Sequence, residues 1–303
     1  MIPTHPYNKQ PVSIINGKFK SIHQFDYSAT QNIDQEVVDG FGEEWEKFFE
    51  FSNEDIMQLG NDYFGFLSEK VINKDTTMLD VGCGTGRWTK YLASKVKFVE
   101  AIDPSKAIFY ADHLLSNMDN VRLSIASTEN IPFDDNTFDF VMSVGVLHHI
   151  PDTQKAMMDC VRKVKKGGYF YTYLYYAFDN RGPLVKLLHK GSDIIRYVVS
   201  RLPFTLKKIV CDVLAFTFYI PLVYSGKLLK YLGLSKLAKR LPLSSYQNKS
   251  LFIIRNDALD RFGTKLEQRF TRVEIIQMMG NCGLVNIIIP DGPIHWVAVG
   301  QKV

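Results

Sequence analysis

One stretch near position 80 decides the fold, Asp80-Val81-Gly82-Cys83-Gly84-Thr85-Gly86. A short β-branched and apolar run, Thr76-Thr77-Met78-Leu79, precedes this stretch, and a segment of helical character, 87–93, follows it. A strand, a glycine loop and a helix in this order form a cradle for a nucleotide-like ligand. Glycines are needed there because the backbone must turn sharply and let the ligand approach without a Cβ in the way.

The spacing of the glycines indicates which ligand the cradle binds. A dinucleotide-binding loop has the spacing G-x-G-x-x-G. Here the third glycine, Gly86, comes one residue earlier, and Arg87 follows it. An acidic residue, Asp80, lies two residues before the first glycine. This compressed spacing disfavours a nicotinamide oxidoreductase.

Four further strands follow the glycine loop in a regular order. The first, 97–102, ends in Asp103-Pro104-Ser105, where an acidic side chain can accept hydrogen bonds from ribose hydroxyls. The second, 121–125, leads into Ala126-Ser127-Thr128-Glu129-Asn130-Ile131-Pro132-Phe133. The third, 138–144, is almost wholly apolar, as a strand buried on both faces should be, and His148-His149 follows it. We expect a helix over 152–165, ended by Gly167-Gly168, and a last strand over 169–176.

The glycine loop and its sequel resemble the class I S-adenosylmethionine-dependent methyltransferases. The resemblance covers most of the chain and implies a three-layer, Rossmann-like α/β fold with a seven-stranded, mostly parallel sheet. It also implies that the cofactor is S-adenosylmethionine and that the reaction is displacement at the sulfonium methyl. The protein then mainly positions an acceptor.

The resemblance also assigns cofactor-binding residues. Asp103 matches the acid that binds the ribose hydroxyls, and Asp80 matches a residue near the methionine amino group. Ser127 stands where the family usually has an acid for the adenine amino group, so the backbone of Thr128 is an alternative contact. The full set is Asp80, Gly82, Cys83, Gly84, Thr85, Gly86, Asp103, Pro104, Ser127, Thr128 and Val144.

The pair His148-His149 supplies the candidate catalytic residues. Family members often carry this ending of the strand, which faces the methionine part of the cofactor. A hydroxyl or phenol acceptor benefits from a base, and a neutral imidazole is available near pH 7. The alternative is that one of the two only bonds to backbone at the strand end. We expect no metal, because no third His or Cys lies nearby.

Composition bounds the class of protein. The chain has 303 residues, of which 46% are hydrophobic, enough for one large domain with a sizeable insertion. Its four cysteines are scattered without a C-x-x-C pair, which favours a reducing compartment. The amino terminus lacks a basic start followed by an apolar core, so we expect no signal peptide. We therefore expect a cytoplasmic protein, free or held peripherally at the inner face of a membrane.

The basic charge is concentrated after the fifth predicted strand. Between Arg181 and Lys249 there are 13 Lys or Arg and two acids. Apolar residues recur at helical spacing over 184–202, which Pro203 ends, and again over 209–224 and 228–241. Three interpretations stay open: a lid over the substrate pocket, a lid that also lies on an anionic membrane, and a membrane span. A span is disfavoured by Asp212 and by a break at Pro221.

The two ends of the chain complete the predicted organisation. We expect an N-terminal arm and cap over 1–60, irregular up to residue 35, and a cofactor-binding core over 61–177. A helical lid insertion over 178–250 and a connector, last helix and closing strands over 251–303 follow. The stretch Phe41-Gly42-Glu43-Glu44-Trp45 is similar to a subgroup of bacterial methyltransferases linked to small molecules and surface sugars. Five connector residues either bind a polar acceptor or form ion pairs: Asp257, Asp260, Arg261, Glu267 and Arg269.

The sequence thus predicts methyl transfer to a small-molecule, sugar or lipid-linked acceptor. The alternative is a non-catalytic module that binds S-adenosylmethionine and recruits a partner through its helical insertion. We expect no nucleic-acid partner, because the basic residues are spread along helices without a known binding module. The sequence does not indicate which acceptor is used, which atom is methylated or how many chains assemble.

Overall fold

A computed structural model of the chain describes residues 5–47, 52–177, 183–238, 241, 243–248, 250–291 and 296–303. Side chains at 43–47, 183–190, 245 and 248 lie outside this description, and with them the Glu43-Glu44-Trp45 part of the subgroup motif. The chain forms two compact units. Unit 1 comprises Met1–Asp179 and Leu266–Val303, and unit 2 comprises Asn180–Lys265.

Unit 1 is built on one sheet, to which the described residues contribute nine strands. In chain order they are β1 (Ser13–Asn16), β2 (Ser21–Gln24), β3 (Thr77–Val81), β4 (Phe98–Ile102), β5 (Val121–Ile125), β6 (Phe138–Val144), β7 (Val164–Tyr173), β8 (Leu284–Ile288) and β9 (Val297–Lys302). Their order across the sheet is β1-β2-β5-β4-β3-β6-β7-β9-β8. Five neighbouring pairs are parallel, namely β2–β5, β5–β4, β4–β3, β3–β6 and β6–β7. The other three, β1–β2, β7–β9 and β9–β8, are antiparallel.

Eleven α-helices lie within the described residues. They are α1 (Gln35–Lys47), α2 (Asn53–Phe64), α3 (Arg87–Ala93), α4 (Ile108–Leu114), α5 (Thr153–Arg162), α6 (Pro183–Val199), α7 (Phe204–Leu214), α8 (Ile220–Tyr231), α9 (Ser235–Ala238), α10 (Leu251–Gly263) and α11 (Arg272–Asn281). Helices α1 to α5 and α11 belong to unit 1, and α6 to α10 belong to unit 2. The predicted α/β class is confirmed.

The strand count is a correction, because the sheet has nine strands among the described residues and seven were predicted. The two extra strands, β1 and β2, form a hairpin in the arm that was expected to be irregular, and β2 pairs with β5. The Asp112 carboxylate fixes the hairpin turn by accepting backbone N–H bonds from Lys18, Phe19 and Lys20 at 2.6, 3.1 and 2.7 Å. Asp112 lies 94 residues away along the chain, so the local sequence carries no sign of this contact.

The boundary between α5 and β7 also differs from the prediction. The helix ends at Arg162, and Gly167-Gly168 lie inside β7, where the pairing with β6 shifts register between Phe138 and Phe140. Gly167 adopts a positive φ of 78°. The glycines therefore accommodate an irregularity of the strand. The prediction that they end the helix was wrong.

The core of unit 1 positions the cradle. Strands β3, β4 and β6 run through the middle of the sheet and are buried on both faces, which is why they appear in the sequence as apolar runs. From β3 the chain proceeds to β4 and β5 on one side and to β6 and β7 on the other. The strand order therefore reverses at β3. A crevice opens at such a reversal, at the carboxyl ends of the strands, and ligands of open α/β sheets bind there.

Unit 2 contains one continuous helical segment that corrects the sequence analysis. Helix α7, a π-helical turn at Ala215–Tyr219 and α8 run from Phe204 to Tyr231 without interruption. Pro221 was expected to break this helix. Proline lacks the N–H that would bond to the carbonyl four residues earlier, at Thr217, and Thr217 lies inside the π-helical turn. The irregular turn accommodates the missing bond, so the helix continues.

Helix α10 is the last helix of unit 2, and the insertion therefore ends later in the chain than predicted. It packs against α6 and α7, and its buried residues include Ile254, Leu259 and Phe262. Arg255 bonds through two nitrogens to the Asp212 carboxylate of α7, each at 2.8 Å. The insertion therefore reaches Lys265, whereas 251–265 was assigned to the connector of the core.

Candidate functional site

The glycine cradle lies at the end of β3, where the strand order reverses. Gly82, Gly84 and Gly86 have φ values of 77°, 54° and 82°, a backbone conformation that residues with a Cβ rarely adopt. A Cβ at Gly82 would lie 2.5 Å from Val146 Cγ2, and one at Gly86 would lie 2.7 Å from Leu115 Cδ1. Both the backbone conformation and the surrounding packing therefore require glycine.

Backbone hydrogen bonds hold the cradle against the end of β4. The amides of Gly82 and Cys83 donate to the carbonyl of Ile102 at 2.8 and 3.0 Å. The amide of Gly84 donates to Oδ2 of Asp103 at 2.8 Å. Cys83 and Thr85 are buried in the loop, and burial raises the Cys83 thiol pKa well above its usual value. The thiol is therefore neutral, and the loop is fixed before any ligand binds.

Asp80 is the most unusual carboxylate of the site. It is 1% exposed, and its Oδ2 accepts a hydrogen bond from Thr89 Oγ1 at 2.5 Å. Its Oδ1 is buried and has no partner within the part of the chain that the structure describes. Burial raises the Asp80 pKa to about 7, opposed by the Thr89 bond and reinforced by the charge of Asp103. An unpaired buried carboxylate oxygen costs free energy, and a bound cation or donor would remove that cost.

Asp103 follows β4 and is also buried. Its Oδ1 accepts hydrogen bonds from the amide and the hydroxyl of Ser105 at 2.8 and 2.6 Å. Burial raises its pKa, and the bonds from Ser105 and Gly84 act against that shift. Because each carboxylate oxygen has two lone-pair positions, Asp103 keeps the capacity to accept bonds from a ligand.

The end of β5 contributes Ser127 and Thr128, both buried. Ser127 Oγ lies 3.3 Å from Thr30 Oγ1 of the N-terminal arm. The same arm bonds to Glu129, whose Oε2 accepts from the amides of Gln31 and Asn32 at 2.9 and 3.0 Å. Tyr27 of the arm donates its hydroxyl to the Pro104 carbonyl at 3.1 Å. The arm therefore contacts two predicted cofactor residues, Pro104 and Ser127, a contribution that the sequence analysis missed.

The end of β6 contributes Val144 and the histidine pair. Val144 is buried, Gly145 turns the chain with a φ of 77°, and a single 3₁₀ turn, Leu147–His149, follows. His149 Nδ1 lies 2.6 Å from the carbonyl of Leu266, so the ring donates its Nδ1–H there. In the neutral ring Nε2 then carries no proton and can accept one.

His148 has a different environment from His149. It is 0% exposed, and neither ring nitrogen has a hydrogen-bond partner within the described residues. Burial lowers its pKa well below the usual value, and the nearby His149 and Arg269 lower it further. Its ring stacks on Tyr175 with centroids 3.9 Å apart. His148 is therefore neutral, and packing determines its position.

A row of aromatic rings continues from the cradle to the histidines, and we refer to it as the aromatic wall. Tyr63 of α2 lies 4.6 Å from Trp88 and 5.3 Å from Tyr173, measured between ring centroids. Tyr173 lies 5.8 Å from Tyr175, and Phe41 of α1 lies 5.0 Å from His149. The wall consists of Trp88, Tyr63, Tyr173, Tyr175, His148, His149 and Phe41. The sequence analysis missed it because its members come from five separate elements, α1, α2, α3, the turn Leu147–His149 and β7, and from the loop after β7.

The segment 266–270 packs against the histidines. The Gln268 amide donates to the His148 carbonyl at 2.9 Å, and the Phe270 amide donates to the Tyr175 carbonyl at 2.8 Å. The predicted connector residues Glu267 and Arg269 form an ion pair with each other at 2.5 Å, and Arg269 also lies 5.1 Å from the centre of the Tyr175 ring. Asp257, Asp260 and Arg261 lie on α10 of unit 2, where Asp257 accepts a bond from the Tyr246 hydroxyl at 2.5 Å.

Comparisons with known proteins bear on this same region. Residues 79–172, from β3 to β7, match a protein family described as "Methyltransferase domain". Residues 79–172 thus form a methyltransferase domain, similar to the class I, S-adenosylmethionine-dependent kind that the glycine loop resembles. The chain is 34% identical over 109 residues to the demethylmenaquinone methyltransferase of Geobacillus sp. (strain WCH70). That alignment covers 32% of this chain and 44% of the relative.

Other relatives extend the methyltransferase comparison. A demethylmenaquinone methyltransferase of Staphylococcus aureus (strain JH9) is 34% identical over 104 residues, 32% of this chain and 42% of its own length. The chain thus spans less than half the length of these curated relatives. A methyltransferase structure from Thermotoga maritima aligns over 86% of this chain and 94% of its own at 15% identity, with a TM-score of 0.45. A structure from Aquifex aeolicus aligns over 83% and 97% at 15% identity, with a TM-score of 0.43. Both structures are too distant to bear on activity.

The residues of the methyltransferase domain fit S-adenosylmethionine, the cofactor of this class. The cofactor carries an ammonium group, and Asp80 presents a buried, unpaired carboxylate oxygen beside a cradle that only glycine can form. Its ribose carries hydroxyl donors, and Asp103 has acceptor capacity at the neighbouring strand end. The strand ends thus bring the predicted residues together at one edge of the sheet. Their individual contacts with the cofactor stay predictions.

Proposed function

We propose that this protein transfers a methyl group from S-adenosylmethionine to a small or lipid-linked acceptor. The unpaired, buried Oδ1 of Asp80 at the glycine cradle is the observation that carries the proposal. A solvated surface carboxylate would need no partner, and a structural one would have both oxygens bonded. The cofactor supplies an electrophilic methyl group on a positively charged sulfur.

The residues around the cradle bind and orient the cofactor in this proposal. Asp80 pairs with the ammonium group, and Asp103 accepts bonds from the ribose hydroxyls. Ser127 and Thr128 contact the adenine, and the arm residue Thr30, which lies 3.3 Å from Ser127, restrains that side of the pocket. These contacts exclude water and fix the position of the methyl group, which is the main contribution of a protein to such a displacement.

His149 is the proposed base for a hydroxyl or phenol acceptor. Its Nδ1–H bond to Leu266 fixes the ring and leaves Nε2 free to take the acceptor's proton. His148 cannot serve as readily, because deep burial opposes its protonation. We propose that His148 instead orients the adjacent rings through its stacking on Tyr175. The sequence analysis did not separate these two roles.

The aromatic wall supports an acceptor with an aromatic or otherwise planar ring. Half-buried tyrosines offer flat apolar faces on which such a ring can stack, with hydroxyls at their edges. The curated relatives are named demethylmenaquinone methyltransferases, and the acceptor that this name gives for them carries a quinone ring. We propose this class, a ring-bearing and lipid-linked acceptor, ahead of surface sugars.

The proposal is tested by supplying the protein with S-adenosylmethionine labelled in its methyl group together with extracts of bacterial lipids and polar metabolites. Mass spectrometry should find label in one ring-bearing, lipid-soluble compound that gains one CH₂, with release of the demethylated cofactor. Label in a sugar or polar metabolite would overturn the acceptor class. Tight cofactor binding without any labelled product would favour the non-catalytic alternative, in which the domain only recruits a partner.

A further inference from the structure

The continuous helix Phe204–Tyr231 of unit 2 has an inner stripe that packs within the unit. Its buried residues recur every three or four positions, namely Cys211, Ala215, Tyr219, Val223 and Gly226. Small residues in this stripe allow close packing, since a Cβ at Gly226 would lie 2.0 Å from the Gln247 side chain. This stripe accounts for one face of the helix.

The opposite face of this helix is apolar and exposed, and we refer to it as the outer face. Its residues follow the same helical spacing and are between 50% and 89% exposed: Leu206, Ile209, Val213, Phe216, Tyr224, Leu228 and Tyr231. A surface helix of a water-soluble protein normally carries polar side chains on the face opposite its packed stripe. The outer face breaks that rule over the whole length of the helix.

Other elements of unit 2 add exposed apolar side chains. Helix α6 exposes Ile194, Tyr197 and Val198, and the segment around α9 exposes Leu234 and Leu237. Single exposed apolar residues are ordinary on protein surfaces, but a concentration in one unit marks an interaction site.

The charges of unit 2 identify the kind of partner. Lys227 and Lys230 are exposed and lie beside the C-terminal half of the outer face, and Lys236 is exposed on α9. The acid of the continuous helix and the acid of α6 are in ion pairs, Asp212 with Arg255 at 2.8 Å and Asp193 with Arg196 at 3.2 Å. An apolar face flanked by exposed lysines is complementary to an anionic lipid surface, where acyl chains lie beneath negatively charged headgroups.

We propose that the outer face docks unit 2 onto an anionic membrane, with the helix Phe204–Tyr231 lying in the plane of the lipid interface. The apolar side chains enter the boundary between headgroups and acyl chains, and Lys227, Lys230 and Lys236 contact the headgroups. This surface belongs to unit 2 and the cradle belongs to unit 1, and the inference does not depend on methyl transfer.

The same helix has the length and composition of a membrane span, with 28 residues from Phe204 to Tyr231. The packing of the inner stripe favours the in-plane arrangement. A span would carry Asp212 into the hydrocarbon or separate it from Arg255 of α10, and would remove the inner stripe from its partners. An interfacial helix keeps these contacts and buries only the face that is now exposed.

Vesicle binding tests the charged part of the proposal. The whole protein, without cofactor, is sedimented with vesicles of phosphatidylcholine alone or mixed with phosphatidylglycerol. We expect binding to the mixed vesicles that weakens with salt. Lys227→Gln with Lys230→Gln should weaken it roughly 30-fold, at about fivefold for each lysine. The matched control, Lys70→Gln with Lys166→Gln, removes two exposed lysines from unit 1 and should leave binding unchanged.

A second pair of variants tests the apolar part. Val213→Ser with Phe216→Ser should weaken vesicle binding by at least about tenfold, and the loss should persist at high salt. Both side chains are exposed, so circular dichroism should show an unchanged helix content. The Phe216→Trp variant should gain fluorescence that lipids brominated near the headgroup quench, measured against the wild type.

Three outcomes would overturn the proposal. The first is that the wild type ignores anionic vesicles even at low salt. The second is that light scattering shows a dimer and that the Phe216→Ser variant is a monomer. This would assign the outer face to a second copy of the chain. The third is a helix that resists alkaline extraction and is protected from protease on both sides, which would make it a span.

Discussion

The cradle of unit 1 and the outer face of unit 2 depart from ordinary solvation in opposite ways. In the cradle a carboxylate oxygen of Asp80 is buried without a partner. On the outer face seven large side chains, from Leu206 to Tyr231, are exposed although they are mostly apolar. The first arrangement costs free energy because a polar atom lacks water, and the second because apolar surface contacts water.

The difference shows what each region requires. In the proposed function, Asp80 pairs with one small, positively charged group, and the glycine loop beside it has a fixed backbone conformation. The outer face needs a broad apolar environment bordered by negative charge, without fixed geometry. Substitutions in the cradle should therefore act on cofactor affinity, and substitutions on the outer face should act on vesicle binding and leave cofactor affinity unchanged.

The largest effect expected in the cradle comes from Gly84→Val. Gly84 has a φ of 54°, and its amide bonds to Asp103, so a branched side chain strains the loop and displaces that bond. Cofactor binding should fall below detection in calorimetric titration while the protein stays folded.

Gly167→Val is the matched control for Gly84→Val. Gly167 also has a positive φ, and a Cβ there would meet no neighbouring atom. This variant should carry similar backbone strain and bind the cofactor normally. Equal loss of binding in both variants would attribute the effect to general destabilisation, and wild-type affinity of Gly84→Val would show that the cradle is misassigned.

The His149→Ala variant should lower turnover by roughly 10²–10⁴-fold with a hydroxyl acceptor, the usual contribution of a general base. Cofactor affinity should change little, because the ring acts on the acceptor. His148→Phe keeps a flat ring against Tyr175 and should retain most activity. Single-turnover rates check both. A larger loss in His148→Phe than in His149→Ala would reverse the two assignments.

The Asp103→Ala variant should weaken cofactor binding by about 1–3 kcal/mol, the scale for lost hydrogen bonds to a charged acceptor. It also removes the bonds that the carboxylate receives from Gly84 and Ser105. Titration calorimetry measures the change, with Asp159→Ala on α5 as a control that should bind normally. An unchanged dissociation constant for Asp103→Ala would remove this residue from the site.

The raised pKa of Asp80, about 7, gives a milder and pH-dependent effect. Below pH 7 the carboxyl takes up a proton and loses its attraction for the cofactor's ammonium group, so the dissociation constant should rise as pH falls, approaching about tenfold per pH unit. Asp80→Asn should abolish this dependence. 5′-Methylthioadenosine lacks the amino-acid part of the cofactor, so its dissociation constant should not depend on pH in this range. The same slope for 5′-methylthioadenosine would show that another group titrates.

The smallest expected effect is that of the outer-face lysines on cofactor affinity. Lys227→Gln with Lys230→Gln should leave the cofactor dissociation constant within about twofold of the wild type, because neither lysine belongs to the cradle residues of unit 1 and exposed charges are screened by salt. Calorimetry at physiological salt checks this. A large change in cofactor affinity would couple the outer face to the cradle and remove the separation drawn between them.

The sequence predicted the parallel strands and the cradle because both leave local signatures. Strands buried on two faces appear as apolar runs, and a glycine loop with Asp80 before it is readable within seven residues. Asp103 and the histidine pair were predicted in the same way, each from its place after such a run. The structure places these residues at one edge of the sheet, as parallel strands require.

The remaining features depend on contacts between distant residues. The hairpin of β1 and β2 depends on Asp112 and on pairing with β5, so its polar sequence was taken for an irregular arm. The aromatic wall joins Tyr63 of α2 to Tyr173 of β7, and no local pattern predicts that meeting. Pro221 was misjudged for a related reason, because the rule that proline breaks helices ignores an adjacent π-helical turn.

The central claim is that the cradle holds S-adenosylmethionine through Asp80 and the glycine loop. Calorimetric titration of the whole protein at about pH 8, where Asp80 is ionised, tests it most directly. The account predicts saturable binding of S-adenosylmethionine and of its demethylated product, and no binding of NADH. Binding of NADH, or no heat with either methyltransferase ligand from a folded protein, would contradict it.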